Sequence, residues 1–245
     1  MPKKLRDSSS KKPQLKYNKV KLPEQQPPVE TQWVVNRQKF HEETVLENTL
    51  QSNTDFKTHW YSLNSEQTQL DKAACNKIIK DFQTQGVHNQ AAIGVGDVDP
   101  NIRQVHQWNY ETLEYFDFFQ ALVNNVNDHW WQYDLTQIEV PTLCVYYGDR
   151  MGKYSWHKDS FYSDKKQARK ISATILLNDS SEFTGGDLEI FSGVNFDGKP
   201  IIEKPQLKKA GDAVFFGAHD YHRVLPVTKG TRASLVLWMW GPRLR

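Results

Sequence analysis

The feature that most constrains how this chain can fold is a change of rhythm after Asp134. From there, Ile138–Tyr147, Ile171–Asn178, Asp187–Phe191, Ile201–Lys204, Ala213–Gly217, His222–Pro226 and Arg232–Trp240 are short runs rich in β-branched and aromatic residues. Gly185-Gly186, Asp197-Gly198, Gly211-Asp212 and Lys229-Gly230 punctuate them, and such pairs turn a chain sharply. No helical pattern alternates with these runs, so they predict an antiparallel sandwich or jelly roll rather than a parallel α/β sheet.

Ahead of this region the apolar spacing is helical. Asn64 can cap a helix start, with Gln67 placed to reach back. Leu70, Ala74, Cys75, Ile78, Ile79 and Phe82 then recur every three or four residues, predicting an amphipathic helix to about Gln85. A second helix is expected over Glu111–Asp128, with Leu113, Tyr115, Phe116, Phe119, Leu122, Val123 and Val126 as its apolar stripe. A stripe that large needs a sheet to cover. The expectation is a mainly β protein with flanking helices packed on one sheet.

The first 22 residues carry eight basic side chains and one acidic one within a net charge of +2, which leaves the rest of the chain mildly acidic. Residues 22–29, LPEQQPPV, form a proline-rich joint that cannot propagate a helix. Residues 1–30 therefore read as a disordered tail and 31–245 as one folded unit, with its β core at about 135–242. The tail is either a solvated extension or a weak anchor for a polyanion such as nucleic acid. No apolar run approaches the roughly 20 residues that cross a bilayer, and no apolar secretory leader opens the chain. Cys75 and Cys144 are too few for a disulfide framework. A cytoplasmic protein without a membrane partner is expected.

The chemistry lies in the β region. His157 and Asp159 are two residues apart, and in an extended strand such positions share a face, so both side chains reach one point. A third donor from a distant strand would complete one face of an octahedron and leave the other positions open, an arrangement suited to iron(II). A His-x-Asp tripeptide alone is weak, since a strand-end ion pair explains it equally well. The downstream context strengthens it. His222 follows the apolar run Ala213–Gly217, and ten residues on, Arg232 opens the last strand beside it. A guanidinium there suits a co-substrate carboxylate, and Ser234 shares its face. His219 competes with His222 for the distal position; the spacing to Pro226 and Arg232 favours His222.

At this point the residues resemble a known family. Tyr147-Gly148-Asp149-Arg150-Met151-Gly152-Lys153-Tyr154-Ser155-Trp156-His157-Lys158-Asp159 looks like the first metal motif of prolyl 4-hydroxylase-type 2-oxoglutarate oxygenases. Ala210–Phe216 and then His222 through Trp238 resemble its second segment, and Thr184-Gly185-Gly186-Asp187-Leu188 a glycine-rich strand opening between them. The resemblance covers about residues 135–242. It implies a double-stranded β-helix (cupin-like jelly roll), with His157, Asp159 and His222 as Fe(II) ligands and Arg232 on the distal carboxylate of 2-oxoglutarate. It further implies Tyr147 as a co-substrate contact, dioxygen as oxidant and ascorbate as a candidate reductant. Tyr154, Trp156, Trp238 and Trp240 are candidate pocket walls, although core packing explains each of them too. The surroundings of Tyr154 and Trp156 are closest to bacterial and phage hydroxylases.

The implied reaction is hydroxylation of an unactivated C–H bond, with 2-oxoglutarate converted to succinate and carbon dioxide. A prolyl or other peptidyl side chain is the first-choice substrate. The alternatives are oxidation of a nucleic-acid base by the same chemistry and a non-catalytic jelly-roll binding module.

Overall fold

The computed structural model describes residues 60–90, 99–163, 166–195 and 197–243. The basic, proline-rich segment 1–30 lies outside the described residues, and so does the chain up to residue 59.

Two antiparallel sheets form the body. The larger takes the order β1 (Tyr61–Leu63), β12 (Ala213–Gly217), β8 (Gln167–Leu176), β14 (Val227–Pro242), β6 (Thr142–Tyr147), β4 (His106–Asn109) and β2 (Val87–Gln90). Two short strands, β5 (Gln137–Ile138) and β9 (Phe183–Gly185), also pair with β14. The smaller sheet runs β11 (Pro200–Glu203), β10 (Leu188–Val194), β13 (His222–Val224), β7 (Lys153–His157) and β3 (Arg103–Gln104). This is the jelly roll that the turn pattern predicts.

Strand alternation gives the large sheet two buried faces. Leu143, Val145, Ala213 and Phe215 point toward the helices, while their neighbours Cys144, Tyr146, Val214 and Phe216 join Leu188, Ile190 and Val224 of the small sheet. The helices are α1 (Ser65–Thr68), α2 (Lys72–Gln85) and α3 (Leu113–His129). Cys75, Ile78 and Phe82 of α2 and Tyr115, Phe119, Leu122, Val123 and Val126 of α3 cover the outer face. Among the described residues no helix is long and apolar enough to cross a membrane.

The structure corrects the first helix. The run expected to continue from Asn64 to Gln85 is two helices. The capping box at Asn64 forms, with Asn64 accepting from the amides of Glu66 and Gln67 and Gln67 accepting in return. Gln69 then adopts a left-handed conformation at φ 58°. Asp71 starts α2 afresh, accepting from the Ala74 amide at 2.7 Å. The break lets Leu70, fully buried, turn into the core. The Leu70 carbonyl approaches Gly211 so closely that a Cβ there would lie 1.9 Å from it. Two other features escape the sequence pattern. Strands β1 to β4 are too short for alternation to register, and β7 is the strand that carries His157.

Phe215 is fully buried between the large sheet and the helices. Phe215→Ala should therefore lower the free energy of unfolding by about 3–5 kcal/mol, read from chemical denaturation of the full chain.

Candidate metal centre

Strands β7 and β13 are neighbours, and their register sets His157 directly opposite His222. The two rings sit 4.1 Å apart between centroids. A bulge separates that pair from the next, Val224 with Tyr154. It places two residues of β7, Ser155 and Trp156, against Arg223 of β13, so Tyr154 and His157 face the same side although a regular strand would oppose them. The Tyr154 ring consequently stacks on His157 at 3.4 Å.

Asp159 lies beyond the end of β7 rather than within it. Its carboxylate nevertheless reaches both histidines, with Oδ1 at 3.6 Å from His157 Nε2 and Oδ2 at 3.5 Å from His222 Nε2. Donor atoms from the three residues all lie within 4.8 Å of one another. Donors that bind one metal at right angles, each at about 2.1 Å, stand about 3 Å apart, so a small closure suffices. Among the described residues this is the cluster able to hold a metal ion. His219, its competitor at the sequence level, stands apart, with a side chain that is 65% exposed beside Asp220.

Protonation favours ligation. Nδ1 of His157 faces the Ser155 carbonyl at 2.7 Å, and Nδ1 of His222 faces the Asp220 carbonyl at 3.0 Å. A carbonyl only accepts, so each Nδ1 carries the hydrogen and each Nε2 keeps a lone pair aimed at the cluster. Burial and the neighbouring His222 push the His157 pKa down to about 3, against the opposing pull of Asp159. Burial alone would raise the Asp159 pKa, yet His222, His157, Trp238 and Ser172 hold it below the usual carboxylate range. The set is two imidazoles and one carboxylate, the donor chemistry that suits iron(II).

A cavity of ≈ 40 Å³ separates the two sheets at this point, walled by Tyr146, Tyr154, Phe216, Ser234 and Trp238 around the cluster. Arg232 lies beside it. Its residue is 2% exposed, and its guanidinium donates to Ser234 Oγ at 2.9 Å. Among the described residues Arg232 has no ion-pair partner. It lines a second cavity of ≈ 270 Å³ beneath Thr184–Asp187, and Leu188 walls both spaces. Burying a cation without an anion costs several kcal/mol, so the Arg232 guanidinium is a fitting counter-charge for a carboxylate next to the cluster. The residues present thus fit both groups, iron(II) at the cluster and a dicarboxylate reaching Arg232. Gly186, at φ +72°, permits the approach, since a Cβ there would come within 2.8 Å of Arg232 Cδ.

Of the other residues singled out from sequence, Tyr154 and Trp238 line the metal cavity. Tyr147 sits on the opposite face of β6, edge-on to His106 at 5.2 Å and packed toward the helices, while its neighbour Tyr146 faces the cavity. Trp156 lies under the Arg223 guanidinium at 4.5 Å, away from the cavity lining, and Trp240 bonds to Glu139 at 2.9 Å. Sequence reasoning missed Tyr146, Phe216 and Ser172. The parity of β6 against Arg232 would have found Tyr146; nothing local marks Ser172.

Residues 142–240 match the 2OG-Fe(II) oxygenase superfamily. A PKHD-type hydroxylase from Teredinibacter turnerae is 34% identical over 92 residues, covering 36% of this chain and 38% of that protein. The match thus spans little more than a third of that relative's length. Another from Synechococcus sp. is 23% identical over 176 residues, covering 69% of this chain and 74% of that protein. Two solved structures share the fold. A prolyl-4-hydroxylase from Pseudomonas putida superposes with a TM-score of 0.54 at 21% identity, covering 77% of this chain and 94% of that one. A prolyl hydroxylase from Trichoplax adhaerens, solved with a hypoxia inducible factor peptide fragment, gives 0.55 at 15% identity over 86% and 93%. The motifs, the fold and these matches agree: residues 142–240 are similar to the 2OG-Fe(II) oxygenase superfamily, and the matching relatives are PKHD-type hydroxylases.

Proposed function

We propose that this chain is an Fe(II)- and 2-oxoglutarate-dependent hydroxylase that acts on an unactivated C–H bond of a prolyl or other peptidyl side chain. The observation that carries the reading is the buried guanidinium of Arg232, without an ion-pair partner among the described residues, beside the His157–Asp159–His222 cluster. A metal site with no keto acid to bind would leave that charge unexplained. We take the catalytic unit as residues 31–245, with the jelly-roll core at about 135–242 and the helices as its outer cover.

His157, Asp159 and His222 would hold Fe(II), with Arg232 and Ser234 on the far carboxylate of 2-oxoglutarate. When bound, these groups supply the oxidising chemistry, in which 2-oxoglutarate and dioxygen become succinate, carbon dioxide and the hydroxyl oxygen of the product. The chain's own residues bind, orient and exclude water. The Nδ1–carbonyl bonds fix the imidazole planes. Tyr154 stacks against His157 and prevents that ring from turning. Tyr146, Phe216 and Trp238 keep the space dry, which strengthens every charge interaction in it. The hydroxylase names of the relatives and the peptide bound to the Trichoplax protein support a peptide or protein substrate.

Full-length protein supplied with Fe(II), ascorbate and 2-oxoglutarate should form succinate slowly, and His157→Ala should abolish both turnover and anaerobic Fe(II) binding. Binding of neither Fe(II) nor 2-oxoglutarate by the wild type would sink the oxygenase reading in favour of a binding module. Arg232→Gln should raise the KM for 2-oxoglutarate about 10–100-fold, the worth of a charged hydrogen bond of about 1.5–3 kcal/mol, while Fe(II) affinity stays near wild type. Proline-containing peptides should stimulate succinate formation equally with and without residues 1–22. A stimulation by single-stranded nucleic acid that weakens on removing those residues, and loses salt sensitivity, would instead favour base oxidation.

A further inference from the structure

Asp159 is the member of the cluster that no β-ladder holds. His157 ends β7 and His222 lies within β13, whereas Asp159 follows the end of its strand. A carboxylate on irregular backbone must be fixed by side chains if it is to meet a metal in one orientation.

Two groups on the large sheet face it. Ser172 of β8 and Trp238 of β14 are register partners. Ser172 Oγ donates to Asp159 Oδ2 at 2.7 Å. The Trp238 Nε1–H is buried and makes no well-formed hydrogen bond among the described residues. Asp159 Oδ1 instead faces His157 Nε2 at 3.6 Å.

A third element stands behind Trp238. The Arg169 guanidinium packs 4.1 Å from the Trp238 ring centroid, and its Nη1 reaches the Asp159 main-chain carbonyl at 3.5 Å. Arg169 is itself locked. It donates to Glu139 through Nε at 2.8 Å and Nη2 at 2.5 Å, a two-pronged contact that fixes the plane of the guanidinium. Glu139 also accepts from Trp240 Nε1, which ties the arrangement to the end of β14. The Arg169 side chain is 15% exposed, so solvent competes little with these contacts.

We propose that Ser172, Trp238 and the Glu139–Arg169 pair are positioning residues for Asp159, holding its carboxylate in one orientation toward the two histidines. Ser172 occupies Oδ2. Arg169 anchors the Asp159 backbone and the ring of Trp238 together, and Glu139 holds Arg169 in the plane both contacts require. Partners of this kind typically change metal affinity about 10–100-fold when removed. The inference rests on the metal-centre reading above and goes beyond it in assigning four residues outside the ligand set.

The test uses full-length protein titrated anaerobically with Co(II), a probe whose visible absorption reports ligand geometry. Ser172→Ala and Arg169→Gln should each bind Co(II) about 10–100-fold more weakly than wild type, with an altered visible spectrum. Arg169→Lys should fail to restore it, because an ammonium has neither the fork nor the flat face. Ile78→Val, in the helix-facing core, should lower thermal stability and leave affinity and spectrum unchanged, which separates positioning from general loosening of the fold. If Arg169→Gln does not fold, Ser172→Ala carries the test, since it removes one hydroxyl and little volume. Wild-type Co(II) affinity and an unchanged spectrum in Ser172→Ala would overturn the proposal while leaving the metal centre intact. A wild-type chain that takes up no Co(II) would overturn both.

Discussion

Two histidines from separate segments act as a metal-binding pair only when their strands are neighbours in a defined register. The pairing of His222 with His157 across β13 and β7 meets that condition. A slip of β13 by one residue would send His222 to the outer face of the small sheet and part it from His157. Strand β13 is only three residues long, so its own ladder holds it weakly. It is trapped instead between β7 and β10, where Leu188 and Ile190 pair with Val224 and His222 and pack into the inter-sheet core. The hydrophobic closure of the sandwich therefore sets the geometry of the polar cluster.

The same closure concentrates charge. Asp159 and Arg232 both lie in the interior between the sheets, yet neither neutralises the other. Arg232 has Ser234 and the face of Tyr146 for company, and Asp159 has two imidazoles and Ser172. A fold optimised for stability alone would have paired these charges or replaced them with apolar groups. Keeping them apart costs stability and leaves one end of the site short of a cation and the other short of an anion. A divalent metal and a dicarboxylate would supply both.

Much of this architecture is legible in the residues themselves. The turn glycines delimit the strands, and Ala213–Gly217 has the bounds expected of it. The ligand spacing singles out His157, Asp159 and His222, and the ten-residue interval singles out Arg232. The features that stay hidden have a common cause. The break at Gln69 depends on Leu70 turning inward against Gly211, a contact between residues far apart in the chain. The choice of Tyr146 over Tyr147 for the cavity depends on which face of β6 lies opposite Arg232. Trp156 and Trp240 look equivalent to Trp238 along the chain, and pairing with other elements takes both of them away from the cavity.

The sequence by itself determined the architecture and singled out the candidate donor residues, because alternation, turn chemistry and ligand spacing are local properties written along the chain. Tertiary structure alone decided the orientation of those atoms. The bulge that turns Tyr154 onto His157, the burial of Arg232 beneath Gly186, and the anchoring of Asp159 by Ser172 and Arg169 all arise where separate strands and turns meet. Their geometry follows from how two sheets close on each other, and no single stretch of residues encodes that.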